Sequence, residues 1–196
     1  MLKLCIIINI NLPKINRLIK ELDNKFLIKH YSSLPPHISI YIWESEPELN
    51  VMIKEIKTIA AGFKVFSLQT NKLNFSKYNT IQLEITKNLN LNKFHKIIVE
   101  RISKFRDKTA HSKAIEFYHS FNKKERMFIE KYGRPNLLSN FDPHITLEKF
   151  QPHLASEVKG FLSNFKPKFK IEISEFSLLE MRADNYKIIK KFKLDV

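Results

Sequence analysis

Apolar residues along the chain alternate between short continuous runs and helical spacings. Leu2 to Ile10 is a run rich in β-branched side chains and reads as a buried strand. After Pro13, residues Ile15, Leu18, Ile19, Leu22 and Phe26 recur at the period of an amphipathic helix. Pro35-Pro36 interrupts the chain before a strand from His37 to Trp43. Pro47 then opens a helix to about Gly62, with Ile53, Ile56, Ile59 and Ala60 on its apolar face. Val65–Phe75 and Thr80–Thr86 read as strands paired through a turn at Ser76–Asn79. The second half repeats this order with more helix. Leu91–Lys108 and Lys113–Tyr132 are helices, the latter ended by Gly133 and Pro135. A strand at His144–Phe150, a helix at about Leu154–Phe165, and an antiparallel pair, Lys168–Met181 with Tyr186–Leu194, complete the chain. The predicted architecture is α+β, with helices covering twisted sheets.

Composition narrows this further. The 196 residues fit one domain spanning 1–196, long enough to bury a full core. Only Gly62, Gly133 and Gly160 are glycines, so no phosphate-cradling glycine loop exists. The longest apolar run, Leu4–Ile8, is far shorter than the roughly 20 residues of a membrane span, and no signal peptide is expected. A single cysteine, Cys5, excludes an internal disulfide and cysteine-held zinc, and points to a reducing, cytoplasmic setting. The net charge of +14 suggests an anionic partner. It is evenly spread, however, with +7 in each half, and 28 lysines against six arginines fit an AT-rich coding bias. The bulk charge therefore attracts anions without choosing one.

Choice resides in a short motif that occurs twice. Pro36-His37-Ile38-Ser39-Ile40 is matched 107 residues later by Pro143-His144-Ile145-Thr146-Leu147. In a strand, His37 and Ser39 point to one face, about 7 Å apart, while the isoleucines enter the core. His144 and Thr146 do the same. If the halves pack about a pseudo-twofold axis, two imidazoles and two hydroxyls surround one centre. An imidazole titrates near pH ~6.5, so one histidine removes a proton from an attacking hydroxyl or water while the other protonates the leaving oxygen. Hydroxyls donate to the non-bridging phosphate oxygens as charge develops. The chemistry indicated is phosphodiester cleavage.

The paired motifs, together with Tyr132-Gly133-Arg134-Pro135 and Phe141-Asp142-Pro143, resemble those of the 2H phosphoesterase superfamily. That superfamily includes 2′-5′ RNA ligase-like proteins and cyclic nucleotide phosphodiesterases. The resemblance implies a bilobed α+β fold, two pseudo-symmetric sheet-plus-helix lobes around a central cleft. It also implies His37 and His144 in the acid and base roles, Ser39 and Thr146 on the phosphate, and neither metal nor other cofactor. The implied substrate is a nucleotide or RNA phosphodiester involving a ribose 2′ oxygen. It would be a 2′,3′-cyclic phosphate, a 2′-5′-linked oligonucleotide or a cyclic dinucleotide such as cGAMP. No membrane association or obligate protein partner is implied, and the chain is expected as a monomer. The alternatives are a non-catalytic nucleotide-binding module and a 2′-5′ RNA ligase.

Departures from the family pattern also carry expectations. Many relatives have arginine shortly after each motif, whereas this chain has Tyr41 and Lys149. Strict alternation puts Tyr41 on the face of His37, where its ring can stack on a base, and Glu148 on the face of His144. Arg134, in a Gly-Pro loop, is a further candidate for substrate contact. His111, His119 and His153 lack metal-ligand spacing, and Cys5 reads as a core residue.

Overall fold

A computed structural model describes residues 1–26, 28, 34–45, 48–108, 117–183 and 185–196. Eight strands form one antiparallel sheet: β1 (Leu2–Asn9), β2 (His37–Ser45), β3 (Phe66–Phe75), β4 (Thr80–Ile85), β5 (His144–Lys149), β6 (Lys170–Ile173), β7 (Glu175–Met181) and β8 (Tyr186–Lys193). Their order is β6-β3-β4-β5-β2-β1-β7-β8. Each four-stranded half carries one motif strand at the centre of the sheet. The halves meet at β2 and β5, which share a single register pair, Ile38 with Ile145. The two expected lobes are thus halves of one sheet.

The sheet is curled. β6 and β7 are separated in sequence only by Ser174, yet stand six places apart in the strand order. One residue spans only about 3.5 Å, so the far ends of the sheet must approach each other. The chain end reinforces this closure, with Leu194 N donating to Ser174 O and Val65 N donating to Asp195 O. The predicted strand Lys168–Met181 is accordingly two strands serving opposite halves.

Among the described residues there are five α-helices: α1 (Pro13–Phe26), α2 (Leu49–Ala61), α3 (Leu89–Ile102), α4 (Lys123–Tyr132) and α5 (Ala155–Leu162). Their apolar stripes, including Ile15 and Leu22, Met52 and Ile56, Phe94 and Ile98, and Val158, join one core with Leu4, Ile6 and Ile8 of β1. The opposite face of β1 buries Cys5 and Ile7 in a smaller cluster with Leu34 and Leu179. Cys5 is therefore a core residue, and burial pushes its thiol up to about 12. The predicted helix Lys113–Tyr132 begins later, at Lys123. Asn122 caps it, accepting from Glu125 N while the Glu125 carboxylate accepts from Asn122 N. Pro47, His111 and residues 113–116 lie outside the described residues. No described helix is long and apolar enough to cross a membrane.

Candidate active site

Each motif histidine is fixed by the backbone carbonyl two residues before it. His37 Nδ1 lies 2.8 Å from Pro35 O, and His144 Nδ1 lies 2.9 Å from Asp142 O. A carbonyl oxygen only accepts, so Nδ1 carries the hydrogen in both rings and Nε2 is left for other partners. The prolines also anchor the strand entries. Ile10 N donates to Pro36 O at 2.8 Å, and Ile85 N donates to Pro143 O at 3.1 Å. The two motifs therefore enter the sheet in equivalent ways, from opposite halves.

Register then fixes which side chains share a face. His37 lies opposite Asn9 and Ser39 opposite Ile7. His144 lies opposite Glu84 and Thr146 opposite Gln82. His37, Ser39, His144 and Thr146 all line one pocket of about 90 Å³, where β2 and β5 meet. Burial holds the His37 imidazole below the ordinary histidine range. The Pro35 carbonyl acts against that shift, and repulsion from His144 adds to it.

Beyond the hydroxyl residue, alternation fails in both strands for the same reason. β1 pairs Ile7 with Ser39 but Ile6 with Tyr41, so Ile40 is an extra residue. β4 pairs Gln82 with Thr146 but Ile81 with Glu148, so Leu147 is extra. These bulges reverse the parity of every later residue in the strand. Tyr41 still contributes to the lining of the same pocket, but its ring is turned from the face of His37 into the core. It is 1% exposed, stacks on Trp43 with centroids 5.0 Å apart, and donates its hydroxyl to Tyr132 O at 2.8 Å. Burial raises its phenol pKa. Glu148 likewise turns from the His144 face, opposite fully buried Ile81, and is itself fully buried. Tyr41→Phe should therefore cost about 1 kcal/mol of stability through the lost bond, about 2–4 °C in Tm, without changing KM. A rise in KM at unchanged Tm would put the ring back on the ligand.

Arg134 does reach the pocket. Gly133, at φ +86°, ends α4 in a left-handed turn, and a Cβ there would sit 3.0 Å from Arg106 Cδ. The following Arg134 donates from Nε to Ile42 O of β2 at 2.9 Å. Among the described residues its Nη groups have no hydrogen-bond acceptor. Burial lowers the guanidinium pKa.

Two residues near the motifs were not singled out from sequence. The Gln82 side-chain amide lies 3.2 Å from His144 Nε2, and its counterpart opposite Ser39 is apolar Ile7. His95, on α3, bonds both to the β2 bulge and to the loop after Arg134. Its only signal in the sequence is a polar residue among Leu91, Phe94 and Ile98. His119 and His153 lie in short 3₁₀ turns, Tyr118–Ser120 and Pro152–Leu154, away from the pocket. Among the described residues, no group of three or more His, Cys, Asp or Glu side chains is placed to hold a metal ion.

The sequence model of the 2′-5′ RNA ligase superfamily matches residues 12–185. The chain belongs to that superfamily. It is thereby a 2H phosphoesterase, in a superfamily that includes phosphodiesterases and ligases. Its fold is similar to that of Escherichia coli LigT in apo form, with a TM-score of 0.60, 13% identity, and coverage of 100% of this chain and 98% of that one. It is also similar to TT0787 of Thermus thermophilus, with a TM-score of 0.63, 11% identity, and coverage of 98% and 97%. A third structure, described as a phosphoesterase, gives 0.59 and 13% over the full length of both chains. E. coli LigT has been crystallised with 3′-AMP, with phosphate, with NADP+ and with ATP. A search of curated proteins finds no match.

Proposed function

We propose that this 2H phosphoesterase cleaves a small nucleotide or RNA phosphodiester in which a ribose 2′ oxygen takes part, by two-histidine acid–base catalysis without a metal. The observation that carries the reading is the common pocket of His37 and His144, each anchored through Nδ1 and each with a hydroxyl two residues on. One imidazole, neutral, takes the proton of the attacking water or hydroxyl at Nε2. The other, charged, delivers its Nε2 proton to the leaving ribose oxygen. The new phosphorus–oxygen bond forms as the old one breaks, and the two rings end with their protonation states exchanged.

Ser39 and Thr146 donate to the non-bridging oxygens. The Arg134 Nη groups supply a fixed positive charge beside them, where partial burial strengthens the attraction. The pocket volume suits the phosphoryl group and part of a sugar, with the remainder of the ligand outside. The proposed substrates are 2′,3′-cyclic phosphates, 2′-5′-linked oligonucleotides and cyclic dinucleotides.

The test is a panel of 2′,3′-cyclic mononucleotides, 2′-5′ oligoadenylate and 2′,3′-cGAMP, incubated with the purified protein in EDTA. Turnover of at least one class is expected, unchanged by the chelator. No turnover across the panel would overturn the reading. Strict dependence on added metal would overturn the mechanism while keeping the substrate class.

A further inference from the structure

His95 lies in the middle of α3, 1% exposed, and takes no part in the proposed proton transfers. Its Nε2 is 2.9 Å from Leu138 N. A backbone amide only donates, so this nitrogen must present its lone pair. The ring hydrogen is then on Nδ1, which lies 2.9 Å from Ile40 O, a group that only accepts. The tautomer follows from the partners without any choice of flip.

Both partners matter to the pocket. Ile40 is the bulged residue that separates cleft-facing Ser39 from buried Tyr41. Moving the bulge by one residue would send the Ser39 hydroxyl to the core side and turn the Ile40 side chain from the core to the cleft. Leu138 holds a left-handed backbone, φ +54°, in the loop that carries Arg134. Phe141 of the same loop stacks on the imidazole, with centroids 3.7 Å apart and planes within 3°. Ile40, Leu137 and Phe141 all line the pocket.

We infer that His95 is a positioning residue: its neutral imidazole locks the β2 bulge to the 133–141 loop and so fixes Ser39 against Arg134 across the pocket. The inference rests on the phosphodiesterase reading and deepens it. Burial agrees with it, holding the His95 pKa down to about 4, so the ring stays neutral over the working range.

The test compares His95→Phe, which keeps a flat ring against Phe141 but loses both hydrogen bonds, with His95→Gln. A glutamine amide offers one donor and one acceptor and can restore both. Each variant is assayed at a temperature where its near-UV circular dichroism is that of the folded wild type. Turnover of the best panel substrate is measured alongside calorimetric binding of 3′-AMP. For His95→Phe, kcat/KM should fall about 10- to 100-fold with weaker 3′-AMP binding, and His95→Gln should recover most of both. In a double variant, Ser39→Ala should add little to the loss from His95→Phe, since both remove the same contact.

Wild-type kcat/KM and 3′-AMP affinity in folded His95→Phe, with only a lower Tm, would reduce His95 to a core residue. If the wild type binds 3′-AMP but turns over nothing, the phosphodiesterase reading fails, and the affinities alone decide the role of His95. If it neither binds nor reacts, both fail together.

Discussion

Alanine at His37 or at His144 is expected to lower turnover by about 10²–10⁴-fold, while 3′-AMP still binds to within a small factor of wild type. Each ring is already oriented before substrate arrives, because Nδ1 is tied to a carbonyl at 2.8 Å or 2.9 Å. The substitution therefore removes a positioned proton donor or acceptor and leaves the hydroxyls and Arg134 to hold the phosphate. The double variant should be scarcely slower than the worse single one, since half a proton relay is worth little more than none. Full activity in both single variants would end the acid–base proposal. The pH profile adds a separate discrimination. Burial and the charge of His144 hold the His37 pKa below the ordinary value. As the base, His37 must be neutral, so its ionisation forms the acidic limb, displaced below pH ~6.5. As the acid it must be charged, and activity would be confined beneath that lowered value. A neutral optimum that loses its acidic limb in His37→Ala assigns it as the base.

What the sequence reveals of this site stops at a definite residue in each strand. His37 with Ser39, and His144 with Thr146, share a face because each pair precedes its bulge, where side-chain alternation still holds. Tyr41 and Glu148 come after the bulge, and one inserted residue is enough to put them on the wrong side. Nothing local announces that insertion, since Ile40 and Leu147 are as well suited to a regular strand as to a bulge. Gln82 was out of reach for a related reason. Its place depends on the register between β4 and β5, which is itself shifted by the bulge. His95 depends on three segments far apart in sequence, α3, the β2 bulge and the loop at Leu138, so no window of the chain contains its partners. The helices were legible through their apolar stripes, apart from a late start for α4 set by the Asn122 cap and an early end of α3 at Ile102, where the helix expected to Lys108 gives way to a 3₁₀ turn at Ser103–Phe105. The strand Lys168–Met181 concealed a break at Ser174, because both pieces are apolar enough to be buried and only the curl of the sheet divides them.

The second large effect concerns stability in acid. His95 is buried and neutral, with a pKa near 4 against an ordinary 6.5. Between those values the unfolded chain binds a proton that the folded protein refuses, so unfolding takes up protons and stability rises with pH. The contribution is fully present above about pH 6.5 and is lost as the pH falls through about 4. There the folded state also takes the proton, and the imidazolium N–H at Nε2 opposes the Leu138 N–H it previously accepted from. The gap between the two pKa values corresponds to about 3 kcal/mol at 1.4 kcal/mol per tenfold change. Carboxylates and His37 also contribute to acid unfolding, so the informative quantity is a difference between two proteins. His95→Gln keeps a donor and an acceptor but cannot titrate. Its stability relative to wild type, measured by urea unfolding, should grow by about 3 kcal/mol between pH 7 and pH 4. A difference that stays constant across that range would mean that His95 protonates alike in the folded and unfolded chain. The neutral clamp between Ile40 O and Leu138 N would then be wrong in its central feature.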